Sequence, residues 1–482
     1  MQPNFFSLKI NDLKQDPWIS LWIIRFLEYL TLFIAVIICG NLLFWKFNAF
    51  PTEGENVFFL VSVIVQIQAT IVSLVITLTL VAIQITAASY TPRVVDVMKK
   101  MPDMWFLLVI YIESISIGIV TLKFLTNPDP SSVSSIIILG IFSFCSLFLY
   151  MKNTITFLHP DQVVKMLVNE INVDNLHQKK WTDDIMQPVF DVVHTSLIRY
   201  DVTTVRTGLK AISDRLLEIF LMCDNLSRKD ISKHFCSHIR RSARVAQRND
   251  DEGIIIEIIE VLEKFGVECC KNKDSDIVRP VIDVITEIGI NSADKRWDYE
   301  TWRVINTLGK IGLNVTKNGL GDATKGVAFA LELVNTHAAD KEMETIQIIG
   351  EILASLYEHA DNNGLSDSAE SILRVLGSVG QYNADRSAEL ATFRLIYSIE
   401  KLGIYTTDKN QRCETWNIVS TLVEVGEHVA KKRLKATRRV VDALEKLGSY
   451  ASTKRDFNDI AEMAIRSRED IIASATAKKL VV

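Results

Sequence analysis

Proline is scarce past residue 160, where only Pro188 and Pro280 occur, and β-strand signals are scarce with it. A sheet-based or loop-rich architecture is thereby excluded for the larger part of the chain. Cysteine is sparse and unpatterned. Cys39, Cys145, Cys223, Cys236, Cys269, Cys270 and Cys413 are odd in number, with no CxxC pair and no zinc-ligand spacing. A secreted disulfide scaffold is excluded, and a reducing cytosol fits these thiols. Charge is scarce in the first third: residues 1–158 hold nine Lys/Arg and nine Asp/Glu, against 44 and 49 in the remainder. The first part is too apolar for a water-soluble protein, and the second is ordinary for a soluble domain. A wholly soluble enzyme and a disordered chain are excluded. With a net charge of −5, no global basic footprint for nucleic acid exists.

Four long apolar runs fill the charge-poor part, at about 26–45, 57–89, 105–125 and 133–150. Each meets or approaches the ~20 residues a helix needs to span hydrocarbon. The second is longer than a straight crossing requires, so it tilts or projects. The first run starts too far in, and lacks the small-residue site, for a cleaved signal peptide. Trp18, Trp22, Trp45 and Trp105 mark run edges, where indoles favour the headgroup level. Lys9, Lys14 and Arg25 precede the first run, and Arg93, Lys99 and Lys100 follow the second. The 46–56 loop offers Lys46 against Glu53 and Glu55, and the 126–132 loop no base at all. The positive-inside rule therefore places both termini in the cytosol, in a multi-pass protein of the cell membrane.

The charge-rich part repeats itself. The strings VLEKFG, VITEIG, TLGKIG, VLGSVG, SIEKLG, TLVEVG and ALEKLG end at Gly266, Gly289, Gly312, Gly380, Gly403, Gly426 and Gly448. Asn335 and Tyr357 fill the gap in register, with successive offsets of 22 or 23 residues. Four residues before the nine markers stand only Leu or Ile. One residue before them stand Phe265, Ile288, Ile311, Val334, Leu356, Val379, Leu402, Val425 and Leu447. Loop-forming clusters such as KNKDSD (271–276) and DNNGLS (361–366) lie between markers. The unit is one helix of roughly 16–18 residues plus a short connection, and two units match a HEAT or armadillo hairpin. Glycine costs about 1 kcal/mol inside a helix, so a close helix approach is expected at each marker. Pro280 is expected early in its helix, where it costs little.

The expected fold is all-α. Residues 1–25 form a cytosolic arm, 26–158 a four-helix transmembrane domain, 159–209 a helical connector and 210–482 a cytosolic α-solenoid. Self-association, the bilayer, and a cytosolic protein or small ligand on the solenoid are the expected partners.

Chemistry-bearing motifs are few. GLGD at 319–322 lacks the GK[ST] ending and a preceding strand, so a plain turn is expected rather than a phosphate loop. His234 and His238 share a helix face, but Cys236 points elsewhere and no third ligand is near, so no metal or cofactor is expected. Arg240, Arg241 and Arg244 in one basic cluster, and Arg93, Lys99 and Lys100 in the loop, are candidates for contact with lipid headgroups or anions, against a solvated face. A second cluster runs from Lys431 to Arg439. Glu113 lies midway along the third run, where a carboxylate is costly and marks a candidate functional site. In the second run Gln66, Thr70, Ser73, Thr77 and Gln84 form one polar stripe that Leu80 and Val81 interrupt near its inner end. Such a stripe either glues helices or lines water. No catalytic triad, paired carboxylates, nucleotide or haem motif stands out, so an enzyme is not expected.

The stretch QIQATIVSLVITLTLVAIQITAASYTPRVV (66–95), with the third run and TITFLHPDQVV (154–164), resembles an uncharacterised family of prokaryotic predicted membrane proteins, a domain of unknown function. The resemblance covers about residues 60–165. It implies four membrane helices in this topology and no activity. Three functions follow as expectations: a homo-oligomeric channel with the solenoid for assembly or gating, a membrane-anchored scaffold whose solenoid binds a partner, and a transporter. Against the last, the four runs show neither paired broken helices nor an internal repeat.

Overall fold

The computed structural model describes residues 17–47, 54–89, 102–124, 130–157, 159–171, 185–432 and 434–477. Among them the chain is all-α, with eighteen helices and one 3-10 turn. It divides into two units, residues 1–196 and 197–482.

The first unit holds α1 (Pro17–Phe47), α2 (Gly54–Ser89), α3 (Pro102–Phe124), α4 (Pro130–Phe157) and the short α5 (Pro160–Asn169). Proline opens four of these five helices, at the position where a missing N–H costs nothing. α1, α2, α3 and α4 are each long and apolar enough to cross a membrane. α1 and α4, at 31 and 28 residues, outrun the apolar stretches that announced them. α3 packs against α2 and α4, and α1 packs mainly on α4. Val75, Leu107, Tyr111 and Tyr150 form a buried cluster where α2, α3 and α4 meet. Close approach of α2 and α3 depends on Gly118, where a Cβ would lie 2.3 Å from Val65 Cγ2.

α6 (Gln187–Ile198) leads to the second unit, which runs through α7 (Val202–Met222), α8 (Asn225–Arg248), α9 (Glu252–Cys270), α10 (Ser275–Asp294), α11 (Asp298–Lys317) and α12 (Gly321–Asp340). A 3-10 turn (Glu344–Ile348) then precedes α13 (Ile349–Asn362), α14 (Ser366–Asp385), α15 (Glu389–Asp408), α16 (Arg412–Lys431), α17 (Ala436–Ser452) and α18 (Asn458–Ala477). From α7 onward each helix packs on the next and on the next but one. The result is a two-layer helical repeat, with α7, α9, α11, α13, α15 and α17 in one layer. It begins at Val202, ahead of residue 210.

The eighteen apolar residues that flank the markers are all buried, none more than 2% exposed. Six of the seven marker glycines lie where three helices meet, and Gly448 faces α18 alone. A Cβ on Gly312 of α11 would stand 2.9 Å from Val327 of α12 and 2.8 Å from Leu356 of α13. Gly266, Gly289, Gly380, Gly403 and Gly426 repeat that arrangement, each facing one side chain from each of the next two helices. Asn335 replaces glycine at one junction. It is fully buried and donates its Nδ2 to Asn383 Oδ1 at 2.9 Å.

The helices are longer than expected, mostly 19 or 20 residues, because the connections are tighter. Each helix from α8 to α15 closes through one residue in the left-handed region: Asp250, Lys273, Arg296, Gly319, Glu342, Gly364, Ser387 and Asn410. After all of these but Lys273 the following N–H reaches back to the helix carbonyl five residues earlier, as Trp297 N to Ser292 O at 2.9 Å. The two 22-residue offsets fall at α13 and α17, at 14 and 17 residues the shortest helices between α7 and α18. At α13 the missing residue turns the first stretch into 3-10. Pro280 lies in the second turn of α10, deeper than expected, and removes a bond to the carbonyl of Asp276, whose exposed position leaves it to water.

Candidate functional site

The polar stripe of α2 faces away from its own unit. Gln66, Thr70, Ser73, Thr77, Leu80 and Gln84 are all exposed, Leu80 by 55%. Ser62 extends the stripe by one turn and was not singled out from sequence, although its spacing matches. Thr70 donates its hydroxyl to Gln66 O at 2.9 Å, and Thr77 to Ser73 O at 2.9 Å. The carboxamides of Gln66 and Gln84 have no hydrogen bond among the described residues. To either side of the stripe lie Ile67, Leu74 and Leu78, and then Ile76, all exposed.

The polar contact that does join helices belongs to Gln68, two residues on. It is 4% exposed, donates Nε2 to Ser114 Oγ at 2.8 Å and accepts from Ser114 Oγ at 3.1 Å. Thr79 plays the same part lower on α2, meeting Tyr150 OH at 2.5 Å. Neither was singled out from sequence, because two glutamines two residues apart in an apolar helix look alike until the partner helices are placed.

Glu113 adjoins Ser114 on α3, so it sits level with the Gln66–Thr70 turn of α2. Its side chain is exposed and has no partner among the described residues. It does not share the stripe's helix, and no hydrogen bond joins it to the stripe among the described residues. Early in α1 Arg25 and Glu28 form an ion pair at 2.7 Å that belongs to a larger network. Asp103 of α3, 1% exposed, lies 3.2 Å from Arg25 Nε and accepts from Asn153 Nδ2 of α4 at 2.8 Å. Three helices are tied together there. Trp22 and Trp105 are exposed, and Trp22 meets Phe106 edge-on with centroids 5.3 Å apart.

In the second unit the basic candidates are largely matched by acids. Arg240 and Arg244 lie 3.0 and 2.6 Å from the carboxylate of Glu287, and Arg241 is exposed. Lys431 and Lys432 face Glu427 and Asp385, and Arg439 and Lys446 both bind the buried Glu400. Arg93, Lys99 and Lys100 lie outside the described residues. GLGD forms the α11–α12 turn, with Gly319 left-handed at φ 75°. His238 is buried and His234 half-buried, and burial pushes the Cys236 thiol up to about 12. No metal-holding group of His, Cys, Asp and Glu occurs among the described residues.

A groove of 640 Å³ runs between α10 and α12. Gly326 and Ala330 leave room for it. Phe329 and Leu333, half exposed, supply an apolar wall, and Arg279, Asp283 and Lys325 line its charged part.

No protein-family model matches the chain, and no curated protein matches it either. Among solved structures the chain is similar to a circular tandem repeat protein with novel repeat topology and enhanced subunit contact surfaces. That likeness has 10% sequence identity and a TM-score of 0.36, over 88% of this chain and 99% of the other.

Proposed function

We propose that the chain is a homo-oligomeric protein of the cell membrane, an ion channel or pore lined by α2 and not an enzyme. In this reading α1 to α4 are membrane-spanning and both termini are cytosolic. The helical repeats serve assembly or gating. The outward stripe of α2 carries the reading. The carboxamide of Gln66, within the span Val57–Val81 and without a partner, would face hydrocarbon in a lone subunit, where an unmade hydrogen bond is costly. Copies arranged around an axis let the same stripe face water and one another. Leu80, in line with the stripe, forms an apolar ring that can close the path by dewetting. The resemblance of residues 60–165 to a membrane family agrees with this placement.

A second reading, a membrane-anchored scaffold, has the α10–α12 groove in its favour, because helical repeats present such grooves to partners. Arg241, like Arg93, Lys99 and Lys100, would be a contact for anionic lipid headgroups in either reading.

The oligomeric state of the full chain purified in detergent tests the pore. A ring of several copies is expected. A strict monomer overturns the reading, since one subunit turns its stripe outward and encloses nothing.

A further inference from the structure

The stripe carries no charged side chain, so any preference among solutes comes from how its dipoles are fixed. Thr70 and Thr77 are fixed in one sense. Each hydroxyl spends its single proton on the backbone carbonyl one turn earlier, Gln66 O and Ser73 O, both at 2.9 Å. A hydroxyl has one donor and two acceptor lone pairs, so what these two residues present outward is oxygen acceptor alone. They are seven residues apart, about 10.5 Å along the helix at 1.5 Å per residue. Copies around an axis would therefore stack two acceptor rings, with Ser73 between them. Thr79, on the opposite face, shows the contrast: its hydroxyl is taken up inside the unit by Val75 O and Tyr150. Gln66 and Gln84 offer a donor and an acceptor each and favour neither sign.

On this basis, and resting on the pore reading above, we infer that α2 passes monovalent cations in preference to anions through acceptor rings made by Thr70 and Thr77. Neutral oxygens replace part of the water shell of a monovalent cation. An anion needs donors that these rings lack. Divalent cations lose water reluctantly and are normally held by carboxylates, which the stripe does not contain.

The test uses the full chain in liposomes, with potassium and chloride as probes, and the double variant Thr70→Val/Thr77→Val beside Thr70→Ser/Thr77→Ser. Valine keeps the shape and removes the oxygen, and serine keeps the oxygen. Both positions are exposed on the unit, so folding does not depend on them, and the ring size of each variant is checked in detergent. Wild type and the serine variant are expected to pass potassium several-fold faster than chloride, with the ratio falling to about one in the valine variant. Equal passage in wild type, or an undiminished ratio with valine, overturns the cation inference and leaves the pore standing. Flux of neither ion overturns the pore and this inference with it.

Discussion

Gln68 and Ser114 hold each other by two hydrogen bonds, each donating to the other across the α2–α3 contact. Gln66, two residues earlier, faces out. The pair separates two uses of one residue type on one helix. Interhelical hydrogen bonds in membranes contribute about 0.6–2 kcal/mol each. Gln68→Leu is therefore expected to lower the unfolding midpoint of the subunit in detergent, while Gln66→Leu leaves it unchanged and weakens assembly. Equal effects on subunit unfolding would show that the stripe is part of the subunit's own interior.

Gly312 tests the three-helix junctions. A methyl group there meets Leu356 at 2.8 Å and Val327 at 2.9 Å. Overpacking costs about 1–3 kcal/mol, of which alanine recovers about 1 kcal/mol through helix propensity. Gly312→Ala should thus be mildly destabilising and Gly312→Leu severely so in thermal unfolding followed by circular dichroism. Leu308→Ala, which opens a cavity beside the junction, should cost about 2–5 kcal/mol. Equal tolerance of alanine and leucine at 312 would contradict the packing.

The connections invite the opposite change. Arg296 and Glu342 are left-handed at φ 60°, a conformation that costs a side-chain-bearing residue about 1–2 kcal/mol. Part of that returns to glycine as unfolded-state entropy. Arg296→Gly and Glu342→Gly should each stabilise by up to about 1 kcal/mol, and Gly319→Ala should destabilise by a similar amount. Denaturant titration of the three variants decides the signs.

Asp361 gives the repeats an acid dependence. Burial raises its pKa, but donors from Lys409 at 2.8 Å, Gln411 at 2.7 Å and Tyr405 at 3.0 Å outweigh burial and hold the carboxyl below its usual range. A depressed folded-state pKa adds stability that is present above the unfolded value of about 3.9 and lost as pH falls through the folded one. The difference in unfolding free energy between wild type and Asp361→Asn should therefore shrink on acidification below about pH 4. A difference constant with pH would place the stabilisation elsewhere.

The repeat was legible because its signal is long-range periodicity: Leu308 and Ile311 recur in eight other units, and glycine marks the junctions. Helix lengths were underestimated because residues such as Ser275 and Ser366 read as loop, yet they open the next helix once a single left-handed residue has reversed the chain. The stripe was legible from spacing along α2. Its direction was not, because Ile67, Leu74 and Leu78 make the helix apolar on nearly every side. Asp103 and Asn153 escaped notice for a different reason. They are 50 residues apart, and only the pairing of α3 with α4 makes one the partner of the other.

Leu80 offers the most direct measurement of the pore. It is exposed and in line with the stripe, one turn before Gln84. Leu80→Glu and Leu80→Lys are to be reconstituted in liposomes, and potassium and chloride leak recorded for each. If α2 lines a water-filled axis, both variants assemble and shift the leak in opposite directions, glutamate towards the cation and lysine towards the anion. Misassembly of both variants, or no ion flux from either, would contradict the account.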